Sequence, residues 1–576
     1  MVQTIPRPEY PRPQMRRDAW CNLNGEWLFE EDPACSGKAR GLAADTLPKG
    51  KITVPFCRES VLSGIGNTDF CECVWYRRTV VCPTGWLDCD KRVILHIGAC
   101  DYRTTLWVNG KEFPAHSGGY VSFSHDITDA LTPNGENTLV IRAEDDVRSR
   151  YQPSGKQSQE YASAGCMYTR TTGIWQTVWM ESVPAAYIAG MRYFTDIDRS
   201  LLTVEVHTVG AEGQTVRIRA AYDGRCVGEG KETSFGGICT VQVPLSELHL
   251  WEVGCGRLYD LELTVGQDHV QSYCGMRKIE CRDGILYLNG KPVFQRLVLD
   301  QGFYPDGIYT APSEQELYAD VDRSIAMGFN GARLHQKVFE PLFLSYCDKQ
   351  GYIVWGEHAN WGMNPAPAQV MESFLPEWNE IMRRDFNHPA IIGWCPINES
   401  EPTQNRAFMR VLSEITKGYD PTRLYIDASG WTHQADAWSD LYDLHDYEQD
   451  PAVFAAHLAS LTERKPINVH HIFGERYRFD CCPTFVSEYG GIRWAPEDAV
   501  GWGYGNAPKS EQEFLERFRG LTEVLLNHPR IGALCYTQLT DVEQEVNGLY
   551  TYDRKPKFDP AFFRAVLSQK AAIEKD

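Results

Sequence analysis

The chain has 576 residues and a formal net charge of −20, so it is too long for one hydrophobic core and should divide into about three or four domains. It has no clusters of Lys and Arg, which argues against nucleic acid or an anionic membrane as a partner. No apolar stretch is long enough to span a bilayer, and the N-terminus lacks the apolar core of a signal peptide. The 19 scattered cysteines favour reduced thiols in a cytosolic protein and do not have the spacing of a zinc site.

The first part of the chain, residues 1–276, consists of short strand-like runs separated by turns. Residues 1–183 show no convincing long helix, and Asn109-Gly110 directly follows an apolar run, which predicts a hairpin turn. This pattern predicts a jelly-roll β-sandwich over residues 1–183. Residues 184–276 again alternate apolar and polar side chains, which predicts an immunoglobulin-like β-sandwich.

From about residue 277 the apolar period changes from two to 3.6. A helix is predicted to begin after Ser313, in a capping box, and to end at Gly328. Eight strand-like runs alternate with helical segments, which predicts a (β/α)₈ barrel over residues 277–576. These runs are at 293–299, 329–335, 352–357, 391–399, 423–428, 441–446, 484–488 and 531–537.

Three of these runs end in a glutamate: one ends in Glu357, and the other two end in the candidate catalytic pair. Residues 391–399 form an apolar run that finishes with Asn398 and Glu399, and residues 484–488 finish with Glu488. Parallel strands of a barrel place their carboxyl ends at one mouth, so both carboxyl groups should face one cleft. The alternative for Glu399 alone is a carboxylate that only caps the next helix.

Two carboxyl groups across a cleft suit the cleavage of a glycosidic bond. One must hold a proton for the leaving oxygen, and the other must be ionised to meet the positive charge that develops on the sugar carbon. The residues alone do not decide which glutamate has which role. Asn398 is expected to bind the sugar 2-hydroxyl.

Further substrate-binding candidates follow from the other strand ends. The alternative for Arg333 and Glu357 is a structural ion pair between neighbouring strands, and for Tyr447 it is packing instead of a hydrogen bond to the nucleophile. Trp494, in a loop, could stack on a sugar or pack in the core. The candidates at strand ends are Arg333, His335, Glu357, His358, His445, Tyr447 and Tyr536.

These motifs together resemble glycoside hydrolase family 2, which contains β-galactosidases, β-glucuronidases and β-mannosidases. The resemblance covers essentially the whole chain. In the barrel it depends on Asn387-His388-Pro389 before Asn398-Glu399 and on Ser487-Glu488-Tyr489-Gly490. Outside the catalytic motifs, it depends on 106–110, 172–176 and 289–293.

The resemblance implies a retaining mechanism, with Glu399 as the general acid/base and Glu488 as the nucleophile. The two carboxyl groups should then lie about 5–5.5 Å apart, against roughly 6.5–9.5 Å in an inverting enzyme. Nothing in the residues demands a cofactor or a metal ion.

The chain also departs from its relatives around the sugar. Asp300 lies where they carry a histidine and a glutamate, and it is expected to replace some of their contacts. Glu545-Val546-Asn547 stands where glucuronidases have Asn-x-Lys, and Glu545 should repel a uronate carboxylate. We therefore expect an exo-acting enzyme for a neutral terminal β-sugar, galactose first, with glucuronide disfavoured.

Several alternatives stay open at this stage. The sugar could instead be an arabinoside, a galactofuranoside, a mannoside or a galacturonide, and the fold could belong to a non-catalytic carbohydrate-binding protein. The expected partner is a short oligosaccharide or glycoside, and a homo-oligomer is expected. The jelly roll is expected to act as a scaffold in preference to a sugar-binding module.

Overall fold

The computed structural model describes residues 5–575 except 89, 283, 402, 434–437, 466, 468–471, 474–482 and 496–500. Among the helices in this part of the chain, none is long and apolar enough to cross a membrane.

The N-terminal unit is a β-sandwich, as predicted. Its smaller sheet has the strand order β1-β13-β5-β10, and its larger sheet has the order β3-β2-β4-β11-β7-β8, with β9 also on β7. Between them lies a core that includes Trp27, Leu106 and Ile141. The strands are β1 (Trp20–Asn22), β2 (Gly25–Glu31), β3 (Gly50–Val54), β4 (Cys73–Val81), β5 (Lys91–Ile97), β6 (Cys100–Asp101), β7 (Arg103–Val108), β8 (Lys111–Glu112), β9 (His116–Ser117), β10 (Phe123–Asp126), β11 (Glu136–Glu144), β12 (Gly173–Ile174) and β13 (Val178–Pro184).

The predicted hairpin turn joins β7 to β8. Asn109 and Gly110 both have positive φ, 49° and 80°, as a two-residue turn between twisted strands requires.

The second unit is a smaller sandwich of seven strands. A three-stranded sheet, β14-β15-β18, packs on a four-stranded sheet, β17-β16-β19-β20. Inward-facing side chains alternate with exposed ones along these strands, which explains the period of two in the sequence. The strands are β14 (Tyr187–Asp196), β15 (Leu201–Val209), β16 (Thr215–Tyr222), β17 (Arg225–Thr233), β18 (Ile238–Pro244), β19 (Tyr259–Val265) and β20 (Asp268–Cys274).

The C-terminal unit is a curved sheet of eight parallel strands in the order β28-β27-β26-β25-β24-β33-β32-β30. A small sheet of three strands precedes it: β21 (Ile279–Arg282), β22 (Ile285–Leu288) and β23 (Lys291–Pro292). The later strands are β24 (Gln295–Asp300), β25 (Gly331–Leu334), β26 (Ile353–Glu357), β27 (Ile391–Cys395), β28 (Leu424–Tyr425), β29 (Thr432–His433), β30 (Tyr442–Asp446), β31 (Ile472–Phe473), β32 (Thr484–Gly490) and β33 (Ile531–Thr537).

The two edge strands of this sheet approach each other. The Asp440 amide, just before β30, donates a hydrogen bond of 2.8 Å to the carbonyl of Tyr425 in β28. The barrel strands are buried on both faces, which accounts for their nearly continuous apolar sequences. The predicted multidomain fold of two sandwiches and a (β/α)₈ barrel is confirmed.

Seven helices lie in the described part of the barrel. The side chains of Ser313 and Ser510 cap α1 and α6 by accepting hydrogen bonds from the amides of Glu316 and Glu513. Gly328 ends α1 with φ of 101°. The helices are α1 (Glu314–Met327), α2 (Pro341–Gln350), α3 (Val370–Asp385), α4 (Arg406–Tyr419), α5 (Pro451–Leu458), α6 (Glu511–Asn527) and α7 (Pro560–Leu567).

Candidate active site

Glu399 and Glu488 lie at the same mouth of the barrel. Glu399 follows β27 and has a left-handed backbone conformation, with φ of 49°. Its backbone amide donates a 2.7 Å hydrogen bond to the Ser429 carbonyl, which stabilises this conformation. Strained backbone of this kind collects at functional sites. Glu488 lies within β32, where its side chain is 5% exposed, against 12% for Glu399.

A single histidine connects the two carboxyl groups. The Nδ1 atom of His445 lies 2.9 Å from Oε1 of Glu399 and 3.4 Å from Oε2 of Glu488. One oxygen of each glutamate and one nitrogen of His445 all lie within 4.8 Å of one another. This spacing agrees with the separation of about 5–5.5 Å that a shared sugar carbon requires in a retaining enzyme.

The surroundings of Glu488 keep it ionised. Arg333 Nη1 lies 3.1 Å from Oε1 of Glu488, and the Tyr447 hydroxyl donates a 2.5 Å hydrogen bond to Oε2. Burial alone would raise the pKa of Glu488, but His445 and Arg333 outweigh it and lower that pKa to about 2. The pKa of His445 is in turn raised, because the two carboxylates outweigh its burial.

Arg333 is the buried centre of this network. Its guanidinium forms an ion pair with Glu357, and its Nη2 donates a 2.7 Å hydrogen bond to the side-chain oxygen of Asn398. His335 Nδ1 lies 3.2 Å from Glu357 and also 3.2 Å from Arg333. Burial, with the charge of Lys156 next, lowers the pKa of His335 well below its usual value.

The structure therefore brings eight of the predicted site residues together around one point. The ion pair expected as the alternative for Arg333 and Glu357 is present, and the same arginine also contacts Glu488. The eight residues are Asn398, Glu399, Glu488, Arg333, His335, Glu357, His445 and Tyr447.

Two predicted residues point elsewhere within the barrel wall. His358 is fully buried against Phe374 and lies 3.5 Å from Glu377 of α3, with no contact to either glutamate of the pair. Asp300 accepts a hydrogen bond from the Gly302 amide, and burial, then Asp320, raises its pKa to about 6.

Two predicted aromatic residues also pack away from the glutamate pair. Trp494 is half-buried against Phe514 and Phe558, which is the packing alternative stated for it. Tyr536 is fully buried and packs edge-on against Tyr489.

Glu545 lies in a separate polar group at the edge of the mouth. Its two oxygens accept hydrogen bonds from the Tyr168 hydroxyl and, at 3.0 Å, from the Asn547 amide. Gln538 Nε2 donates to Asn547 Oδ1 at 2.8 Å, and Gln301 Nε2 donates to Tyr168 at 2.8 Å. The carboxylate of Glu545 is therefore bound to the protein on both oxygens.

Sequence reasoning missed the residues that the N-terminal sandwich contributes to this mouth. The segment 154–169 lies across the barrel: the Ser154 amide donates to the Trp361 carbonyl at 3.0 Å, and the Thr169 amide to Glu543 at 3.0 Å. Lys156 and Tyr168 belong to this segment. No local pattern marks them, because only the docking of two units brings them to the site.

Two residues of the barrel itself were missed as well. The Ser429 hydroxyl lies 3.0 Å from Nε2 of His445, and the Tyr504 ring stacks on the Tyr447 ring with centroids 3.4 Å apart. Both hold a side chain that contacts a glutamate of the pair. Ser429 was detectable only as a polar residue at a strand end.

Among the described residues, the group with metal-ligand spacing is Glu399, His445 and Glu488. Two carboxylates and an imidazole can bind a divalent cation. Arg333 already forms an ion pair with Glu488, and Tyr447 donates a hydrogen bond to it. The same geometry is what a glycosidase pair requires.

The chain is similar to known glycosidases. Residues 279–469 match the family model described as "Glycosyl hydrolases family 2, TIM barrel domain". A β-glucuronidase of Paenibacillus borealis is 22% identical, over 95% of this chain and 96% of that protein. A β-glucuronidase of Rattus norvegicus is 24% identical, over 93% and 88%.

Solved structures share the whole fold. A β-glucuronidase from Ruminococcus gnavus in complex with D-glucuronic acid has a TM-score of 0.80 at 18% identity, covering 98% of this chain and 100% of that one. The Lactobacillus rhamnosus β-glucuronidase has a TM-score of 0.79 at 20% identity, covering 97% and 99%.

The fold, the carboxylate pair and these similarities define the protein as a glycoside hydrolase. The match of residues 279–469 to the family 2 barrel and the similarity of nearly the whole chain to β-glucuronidases confirm the resemblance to glycoside hydrolase family 2 inferred from the motifs.

Proposed function

We propose that the protein is an exo-acting, retaining β-glycosidase that removes a terminal sugar through a covalent glycosyl-enzyme. The observation that carries this proposal is the carboxylate pair, Glu399 and Glu488, with oxygens within 4.8 Å of one another. Only a short separation lets a carboxylate attack the sugar carbon directly, with no room for a water molecule between them.

The electrostatic asymmetry of the pair supports the assignment of roles. Arg333 and Tyr447 bind Glu488, so it acts as the ionised nucleophile and attacks the anomeric carbon. Glu399 is the more exposed carboxyl and donates its proton to the leaving oxygen as the glycosidic bond breaks. Glu399 then takes a proton from a water molecule, which hydrolyses the ester on Glu488 and releases the sugar.

The segment from the N-terminal sandwich supports exo action. It binds to both sides of the mouth, through Trp361 and through the Gly165 carbonyl, which accepts a 2.6 Å hydrogen bond from Trp502. A mouth closed on these sides accommodates the end of a saccharide better than the middle of a chain.

Two terminal sugars are candidates. The expectation of a neutral galactoside, with glucuronide disfavoured, depended on repulsion by Glu545, but both oxygens of Glu545 accept hydrogen bonds from Tyr168 and Asn547. The curated relatives that match nearly the whole chain carry the name β-glucuronidase. These observations favour a β-uronide as the first candidate and leave a β-galactoside, favoured by the missing Asn-x-Lys, as the second.

We further propose the cytosolic location that the composition predicts. Buried cysteines such as Cys57, Cys100 and Cys274 are free thiols, which supports a reducing compartment such as the cytosol.

The test is a panel of 4-nitrophenyl β-glycosides combined with NMR detection of the sugar released first. The panel contains the glucuronide, galacturonide, glucoside, galactoside and mannoside, with the α-L-arabinoside as an isosteric pentose. We expect turnover of at least one of them and initial release of the anomer that has the substrate's own configuration, β from the β-glycosides and α from the α-L-arabinoside. Absence of turnover on all of them, or initial release of the α-anomer from a β-glycoside, would overturn the proposal.

A further inference from the structure

A buried lysine without a carboxylate partner lies at the edge of the candidate active site. Lys156 is 6% exposed. Among the described residues, no carboxylate lies within ion-pair distance of its ammonium, and no group forms a hydrogen bond with it. Its ammonium lies 5.2 Å from the centroid of the Trp361 ring and 5.8 Å from that of Tyr168. Two aromatic rings compensate part of the loss of water, but an ammonium withdrawn from water gains most from an anion.

The backbone around Lys156 is built to bring this side chain to the barrel. The amides of Ser154 and Gly155 donate hydrogen bonds of 3.0 Å to the carbonyls of Trp361 and Ala359, just after the strand that carries Glu357. Gly155 has φ of 59°, and a Cβ atom there would lie 2.6 Å from the Gln336 carbonyl. Only glycine permits this close approach, so the position of Lys156 against the barrel is specified by the sequence.

Both rings that flank the ammonium belong to the site. Trp361 Nε1 donates a 3.3 Å hydrogen bond to the carbonyl of Asn398, the residue before Glu399, and the Tyr168 hydroxyl donates to Glu545. The charge of Lys156 also acts on His335, whose ring contacts Glu357 and Arg333. Lys156 therefore lies between the acid/base side of the mouth and the Glu545 group.

We propose that Lys156, contributed by the N-terminal sandwich, binds the carboxylate of a terminal uronide and so selects an anionic sugar. This inference rests on the proposed glycosidase function and names its substrate class. The barrel segment 545–547 carries Glu545 and Asn547 and no lysine. Lys156 supplies from the N-terminal sandwich the cation that this barrel segment lacks. The N-terminal sandwich is then part of the specificity pocket in addition to being a scaffold.

The test compares matched substrates that differ only at C6. We would measure kcat/KM for the 4-nitrophenyl β-glucuronide and β-galacturonide, with a carboxylate, and for the β-glucoside and β-galactoside, with a hydroxymethyl group. In the native protein at least one uronide should exceed its neutral counterpart. Lys156→Met should lower kcat/KM for that uronide about 100-fold, the effect of a lost charge-assisted hydrogen bond, and leave the neutral sugar within about threefold.

Two further variants separate charge at the site from charge in general. Lys156→Arg keeps the cation and should retain more uronide activity than Lys156→Met. Arg150→Met removes an equal charge from an exposed position of the same region and should leave the ratio of uronide to neutral activity unchanged. A fall in this ratio with Arg150→Met as large as that with Lys156→Met would overturn the proposal.

The outcomes distinguish this inference from the proposed function. Equal losses on uronide and neutral sugars in Lys156→Met would make Lys156 a structural residue and overturn the inference, while the glycosidase function stands. Turnover of neutral glycosides only, by the native protein, would also overturn the inference and leave the glycosidase function standing. If no glycoside is turned over, the proposed function fails, and calorimetry with glucuronate and galacturonate then tests the anion site by itself. Binding that is lost in Lys156→Met supports the site, and the absence of binding to the native protein overturns it.

Discussion

Glu399 and Glu488 present carboxylate oxygens within 4.8 Å of one another, and Nδ1 of His445 lies within hydrogen-bond reach of Glu399. His445 and Arg333 outweigh burial and lower the pKa of Glu488 to about 2, so this carboxyl is ionised at neutral pH. The two carboxylates raise the pKa of His445, whose Nδ1 lies 2.9 Å from Glu399, so a proton is held at this end of the group. Retaining hydrolysis requires one ionised carboxylate and a proton close to the leaving oxygen.

The first prediction concerns the nucleophile. Glu488→Gln keeps the shape of the side chain but cannot form an ester with the sugar, so we expect kcat to fall about 10⁴-fold or more for every leaving group. The measurement is kcat on the best 4-nitrophenyl glycoside and on the matching alkyl glycoside. A variant that loses activity on only one of the two would contradict the role of Glu488.

The second prediction concerns the acid/base. Glu399→Gln removes the proton donor, so kcat/KM should fall about 10²–10⁴-fold for an alkyl glycoside, whose leaving oxygen needs a proton. For an activated aryl glycoside such as the 2,4-dinitrophenyl compound, kcat/KM should fall less than about tenfold, because that leaving group departs without one. An equal fall in kcat/KM for the alkyl and the aryl glycoside would contradict the role of Glu399 as the proton donor.

Much of this site could be predicted because its principal residues lie close to the carboxyl ends of strands. An apolar run followed by Asn398-Glu399, and another that finishes with Glu488, carry the signal within a few residues. The parallel barrel then brings these ends to one mouth without any further information. The caps at Ser313 and Ser510 are local in the same way.

His358 shows why neighbours in sequence can face different places. Glu357 ends β26 and points into the barrel, where it binds Arg333. Successive residues of an extended chain point to opposite faces, so His358 faces outward against Phe374 and Trp378 of α3. The prediction that His358 lies at a strand end was correct. Its side chain points to the outer face of the barrel and therefore contacts α3 instead of the glutamate pair.

Lys156 and Tyr168 could not be predicted from any pattern near them. They lie in an irregular segment of the N-terminal sandwich, and their contacts with Trp361 and Glu545 join positions that are hundreds of residues apart. Such contacts depend on how two separately folded units dock. Neither hydrophobic period nor turn chemistry encodes that arrangement.

The third prediction concerns the tyrosine that binds the nucleophile. Tyr447→Phe removes the hydroxyl that donates to Glu488, so kcat should fall about 10–100-fold, the effect of one hydrogen bond to a charged group. The pKa of Glu488 should rise, because this hydrogen bond helps to lower it. The matched control is Tyr489→Phe, whose hydroxyl lies 2.9 Å from Thr522 on the other side of β32. Equal losses of kcat in the two variants would assign Tyr447 a packing role only.

The last prediction concerns a buried acid where the N-terminal sandwich meets α3. The Glu377 carboxylate accepts a 2.8 Å hydrogen bond from the Tyr120 amide, and burial raises its pKa from 4.5 to about 8. Burial likewise raises the pKa of Asp101, on the sandwich side, to about 8. Between pH 4.5 and 8 the folded protein therefore holds protons that the unfolded chain has released.

At these two groups the folded state binds more protons than the unfolded state, so their contribution to stability falls as pH rises through this window. Glu377→Gln removes one of the two groups and keeps an acceptor for Tyr120, so the fall in unfolding free energy between pH 5 and 8 should shrink by a few kcal/mol, about 4 at most. Urea unfolding at pH 5, 6, 7 and 8 measures the slope. Glu372→Gln, an exposed acid on the same helix, is the control that should keep the native slope. A Glu377→Gln slope equal to that of the native protein would show that Glu377 is ionised in the folded state.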